Sequence, residues 1–215
     1  MRSTLRTNTS PLEAFAISVI CFGWAIYSSI QAVSAGFNGG AFTDANLMST
    51  TVIEIIFGGI AFLILYVRGF AISTLYPTPS LTGIAVGIAT YVVALGAVWI
   101  FTVPFTSSQG AQPIDSMVAQ ASVSLSTVVL SALINGAYEE IFLLGFLLRG
   151  MRGYGLSIAM GVSLLVRVLY HLYQGPLGAV SIFAFGLVLS LNYVRTGSLF
   201  SAVFAHVLTD IIPFL

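Results

Sequence analysis

Six side chains in this sequence have the types and spacing to do chemistry together: Glu139, Glu140, Arg167, His171, His206 and Asp210. His206 and Asp210 stand four apart, so on a helix they share one face, and Arg167 and His171 repeat that spacing. Glu139 and Glu140 are neighbours, about 100° apart around a helix, so one of them faces a common centre more directly than the other. A glutamate hydrogen-bonded to a histidine can take a proton from water near neutral pH, and a second histidine can stabilise an oxyanion. Hydrolysis of a buried amide is one reaction that fits. The same residue types suit zinc, with His171, His206 and a glutamate as ligands and water as the fourth. Neither His-Glu-x-x-His nor its inverse occurs in the sequence, which weighs against that variant.

The elements that must position these groups are dictated by composition. The chain has 215 residues, 58% of them hydrophobic, and only seven basic and seven acidic side chains; its mean hydropathy is +1.03. A water-solvated surface needs about a quarter of charged residues, so most of this surface faces lipid. Zero net charge without a basic cluster argues against nucleic acid as a partner. In a bilayer the backbone must satisfy its own hydrogen bonds, and the apolar runs are of helix length without period-2 alternation. The expected fold is therefore an all-α, polytopic transmembrane bundle. It has about seven spans, near residues 14–35, 51–67, 82–103, 122–148, 156–173, 177–194 and 197–214. Residues 1–121 supply three spans and residues 122–215 the last four, where the active site is expected.

Assigning the loops to alternate sides gathers Arg2, Arg6, Arg68, Arg149, Arg152 and Arg195 on one side, which predicts a cytoplasmic N-terminus. Only Arg167 falls inside a span. Arg2 and Arg6 before an apolar run resemble a secretory signal, but a run of about 22 residues reads better as a retained anchor. Counted from Arg149 and Arg195, Glu139 and His206 both lie about 15 Å deep, near mid-bilayer. His171 fits less well, roughly 24 Å beyond the Gly155 turn if its helix is straight. Glu13, Asp44 and Asp115 are explained by helix starts and loops, and Glu54 by a position near a span end. One cysteine, Cys21, rules out an internal disulfide. Ser107 and Ser108 have no histidine nearby in sequence, and the Gly36–Gly40 stretch lacks the lysine of a phosphate loop. Burying six costly groups on three helices calls for a shared purpose. The rival readings are a proton-coupled transporter, for which no repeated or broken spans appear, and a non-catalytic role in bacteriocin immunity or membrane-peptide binding.

Glu139-Glu140 followed by Ile-Phe-Leu-Leu-Gly-Phe-Leu-Leu-Arg149, then Arg167-Val-Leu-Tyr-His171, then His206-Val-Leu-Thr-Asp210, resembles the CPBP family of CAAX-protease and bacteriocin-processing proteins, also called the abortive-infection family. The resemblance covers about residues 122–214 and treats the first three spans as variable decoration. It implies a glutamate-dependent intramembrane endopeptidase acting on membrane-bound or lipid-near peptides. By that analogy Glu139 is the general base, His171 holds the water, His206 binds the oxyanion and Asp210 stands beside it where some members have Asn. Metal-free and zinc-dependent mechanisms have both been ascribed to the family; the first needs no cofactor, and the second would use Glu139, His171 and His206. A short chain whose basic residues are all Arg resembles bacterial members, which implies a bacterial plasma membrane. Two departures coincide: the family's first motif has Arg where this chain has Leu144, and its second has Phe where this chain has Arg167. The expected consequence is a linked exchange, with Arg167 reaching across from the next helix to hold Glu140.

Overall fold

The computed structural model describes residues 5–37, 40–105 and 112–215, and among them the regular structure is helical, with only two isolated backbone bridges. Ser107, Ser108 and Arg2 lie outside the described residues. The helices are α1 (Pro11–Ser34), α2 (Asp44–Val67), α3 (Leu81–Thr102), α4 (Pro113–Ala119), α5 (Leu125–Glu140), α6 (Leu156–Tyr170), α7 (Pro176–Thr196) and α8 (Leu199–Ile211). Hydroxyl side chains start most of them. Ser10, Thr43, Ser80, Ser124 and Ser198 each accept a hydrogen bond from the backbone N–H three residues on, satisfying a donor that the first turn leaves free.

Among the described residues five helices are long and apolar enough to cross a membrane: Pro11–Ser34, Asp44–Val67, Leu81–Phe105, Leu125–Leu148 and Pro176–Thr196. The segments Leu156–Tyr170 and Leu199–Phe214 are apolar but shorter, so two of the about seven expected spans are not of full length. α6 starts just after the Gly155 turn and its fifteen residues rise roughly 22 Å; the helix ends at Tyr170, and His171 caps it. A single 3-10 turn, Leu172–Gln174, then hands the chain to α7.

The bundle is apolar outside as well as inside. Tyr27, Leu63, Tyr66, Trp99 and Ile100 are each more than half exposed, an arrangement that water would penalise and lipid does not. α5 is the central helix. Beyond Glu140 it continues as a π-helical segment, Ile141–Leu148, all of whose residues are buried. Ser163 of α6 donates to the Leu143 carbonyl within it, at 3.0 Å.

Arg6, Arg68, Arg149, Arg152 and Arg195 sit at one end of the bundle. The Arg6 guanidinium donates to Glu13 at 2.5 Å and to the Arg68 carbonyl at 3.1 Å, and Arg149 donates to the Thr74 carbonyl at 3.2 Å. With Arg68 also 2.8 Å from the same Glu13, one buried carboxylate ties the start of the chain to the end of α2.

Candidate active site

Arg167 is the largest fully buried side chain and the hub of the site. Its Nη2 donates to both oxygens of Glu140, at 2.7 and 2.8 Å, and its Nη1 to Oε2 of Glu139, at 3.4 Å. The guanidinium that Leu144 cannot provide thus comes from α6, and it holds both glutamates. Its stem needs space: a Cβ on Gly186 of α7 would stand 2.6 Å from the Arg167 Cδ.

Glu140 is fully enclosed. Besides Arg167 it receives Nδ1–H of His206 on Oε1, at 2.6 Å. Glu139 faces the other way, with Oε1 accepting from Asn135, one turn back on α5, at 3.1 Å, and Oε2 accepting from the Tyr170 hydroxyl as well as from Arg167. Neighbouring positions on α5 therefore grip one guanidinium from two sides, which is how adjacent glutamates serve a single site despite their angular separation.

A cavity of about 650 Å³ lies in front of Glu139. Glu139, His171, His206 and Asp210 line it, and Glu140 does not. His171 places Nδ1 2.9 Å from the Arg167 carbonyl; a carbonyl only accepts, so Nδ1 carries the proton and Nε2 keeps a free lone pair. His206 is oriented by Glu140 through Nδ1, leaving Nε2 3.7 Å from Glu139 and 3.6 Å from Asp210. The Asp210 contact is longer than a hydrogen bond, so the group that fixes the His206 ring is Glu140.

The cavity extends from this cluster to the end of the bundle opposite the arginines, where Phe42, Gln112, Asp115 and Phe214 form its rim. Its walls include Trp24 of α1, Thr51 and Glu54 of α2 and Val98 of α3, so the N-terminal helices build the site and are not peripheral to it.

Three participants escape a reading of the sequence. Glu54 is not near the end of a span: α2 starts at Asp44, seven residues earlier than hydropathy suggests, which places Glu54 well inside the helix and 7% exposed. Asn135 donates to Glu54 at 2.8 Å as well as to Glu139. Tyr170 is stacked on Phe22, with ring centroids 4.9 Å apart. The signal for Asn135 was its i,i+4 spacing to Glu139; Tyr170 offered only its place beside His171.

Donor atoms of Glu139, Glu140 and His206 lie within 4.8 Å of one another. This is a different trio from the one expected for zinc, with Glu140 in place of His171. It does not fit a resident dication: the Arg167 guanidinium already occupies the space between the two carboxylates, and His206 Nδ1 is spent on Glu140.

Compared with known proteins, residues 121–212 match the family model described as type II CAAX prenyl endopeptidase Rce1-like. No curated protein and no solved structure matches the chain.

Proposed function

With residues 121–212 matching the model of the Rce1-like type II CAAX prenyl endopeptidases, we propose that this chain hydrolyses peptide bonds of membrane-bound or lipid-near substrates with water activated by Glu139. The observation that carries this is the asymmetry of the glutamate pair. Glu139 stands in the wall of the cavity together with both histidines, while Glu140 is sealed behind it. A base must reach its water, and a positioning group need not.

In the proposed reaction Glu139 takes a proton from a water held by the free Nε2 lone pair of His171. The water oxygen adds to the scissile carbonyl, and the π-electron pair moves onto the carbonyl oxygen, where N–H of His206 at Nε2 stabilises it. Collapse breaks the C–N bond, and Glu139 returns its proton to the leaving nitrogen, giving a carboxylic acid and an amine. Asn135, Tyr170 and Arg167 fix the base, and Glu140 fixes His206. Asp210, 3.6 Å from His206 Nε2, adds negative charge beside an imidazolium and donates nothing to an oxyanion. No step needs a metal. The bilayer is the protein's solvent, and the arginine end is its cytoplasmic face by the positive-inside rule.

The test compares purified wild type with Glu139→Gln in lipid nanodiscs, using a membrane-peptide library read by mass spectrometry, with and without a zinc chelator. The expected result is cleavage by the wild type, unaffected by chelator, and a loss of at least about a hundredfold in the variant. Equal cleavage by both proteins would refute the assignment of the base, and loss on chelation would refute the metal-free reaction.

A further inference from the structure

Resting on that reading of the site, we propose that Glu54 of α2 is a positioning residue for the reaction, fixing the base Glu139 through the side-chain amide of Asn135.

The amide bridges two carboxylates on different helices. Asn135 donates one N–H to Oε1 of Glu54, at 2.8 Å, and the other to Oε1 of Glu139, at 3.1 Å. Carboxylate oxygens accept, so the amide meets both only with its nitrogen side toward them. The two oxygens of Glu139 are held differently. Oε2 takes hydrogen bonds from Tyr170 and Arg167 of α6, whereas Asn135 is the only hydrogen-bond partner of Oε1 among the described residues. Oε1 therefore has the greater capacity left for the proton of a water, and its direction depends on Asn135. Asn135 stands on the same helix as the base, and rotation about its own side-chain bonds would let the amide turn away. The shorter bond, to an acceptor on another helix, removes that freedom.

The acceptor is itself held in register. One turn before Glu54, Thr51 donates to Ser131 at 3.0 Å, and one turn after it a Cβ on Gly58 would stand 3.3 Å from the Tyr138 ring. Three successive turns of α2 thus meet three successive turns of α5, with the carboxylate in the middle. Its Oε2 is enclosed and has no hydrogen-bond partner among the described residues. An apolar side chain would fill that space without the cost of an unmet carboxylate oxygen, so packing alone does not account for a glutamate here. The bond to Asn135 does. α2 lies outside the stretch that matches the family model, so an N-terminal helix contributes to the alignment of the base as well as to the cavity wall.

The experiment uses the full-length protein in nanodiscs and the library peptide that wild type cleaves fastest. Glu54→Asp keeps the charge and draws the acceptor back by one methylene, and Glu54→Gln gives up the charge and keeps an acceptor at full reach. In Glu54→Asp kcat is expected to fall about tenfold with KM within about twofold of wild type, while Glu54→Gln stays within about threefold in kcat. Added to Asn135→Ala, the Glu54→Asp change should cost less than about a further twofold. Wild-type kcat in Glu54→Asp overturns the proposal. So does an effect on KM alone, a Gln variant as impaired as the Asp variant, or a full additional loss in the double variant. Should Glu54→Asp not fold, Glu54→Met, which fills the same space without an acceptor, takes its place with the same expected outcome. A second arm needs no turnover: side-chain amide NMR of protein labelled with nitrogen-15 at asparagine, the Asn135 signal being the one lost in Asn135→Ala. Glu54→Asp should shift both Asn135 amide protons, because the amide leaves Glu139 when Glu54 releases it; a shift of one proton or of neither overturns the proposal. Both protons shifting in a protein that cleaves nothing removes the peptidase reaction and leaves the bridge, and cleavage that is indifferent to Glu54 removes this inference only.

Discussion

Replacing Arg167 with Met keeps an unbranched stem in the slot beside Gly186 and removes the charge. Glu140 would be left with no exposure to solvent and without its two hydrogen bonds at 2.7 and 2.8 Å, and Glu139 would lose a third at 3.4 Å. Breaking a buried ion pair from one side costs about 3–5 kcal/mol, a large share of the roughly 5–15 kcal/mol that holds a domain folded. The His206 hydrogen bond to Glu140 survives and offsets part of this, so a loss of about 3 kcal/mol is expected. The measurement is equilibrium unfolding in mixed micelles, run as a cycle of wild type, Arg167→Met, Glu140→Gln and the double variant. If the pair acts as a unit, the double variant should be more stable than the summed single losses predict, by at least about 1 kcal/mol. Peptide cleavage, followed in parallel, should fall in Arg167→Met because the base loses one of its anchors. A cycle that is additive within about 0.5 kcal/mol, or a single variant with wild-type unfolding and turnover, would refute the reasoning.

Two further substitutions probe the same architecture. Tyr170→Phe removes one hydrogen bond to Glu139 and leaves the stacking on Phe22, so kcat should drop by about tenfold with little change in KM; an unchanged kcat would show that Tyr170 does not position the base. Gly186→Ala puts a methyl group 2.6 Å from Arg167 Cδ and should destabilise by about 1–3 kcal/mol, whereas Gly161→Ala, which meets nothing within 4 Å, should be silent in the same unfolding assay.

The residues legible in the sequence were those whose cost could be seen without coordinates. Glu139, Arg167 and His206 are ionisable groups deep in apolar runs, and depth counted from Arg149 and Arg195 placed Glu139 and His206 at one level. The pairing of Arg167 with Glu140 was legible only because a missing arginine on one helix coincided with an extra one on the next. Glu54 was missed because the first turns of α2, Asp44 to Thr50, are polar and lower the hydropathy, although the Thr43 cap starts the helix there all the same. The span around His171 was expected to run from 156 to 173; the helix starts where expected, at Leu156, and stops after fifteen residues, at the histidine. The role of the first three helices as cavity walls had no sequence signal, since Trp24 and Val98 are ordinary lipid-helix residues until the bundle closes.

The arginine collar and the mouth of the cavity belong to opposite ends of the bundle. A membrane fixes the first of these toward one compartment by the charge of its own leaflet, and the rigid body between them carries the second to the other side. If the arginine end is cytoplasmic, as proposed, the chamber opens toward the opposite compartment, and a substrate would be met and released there.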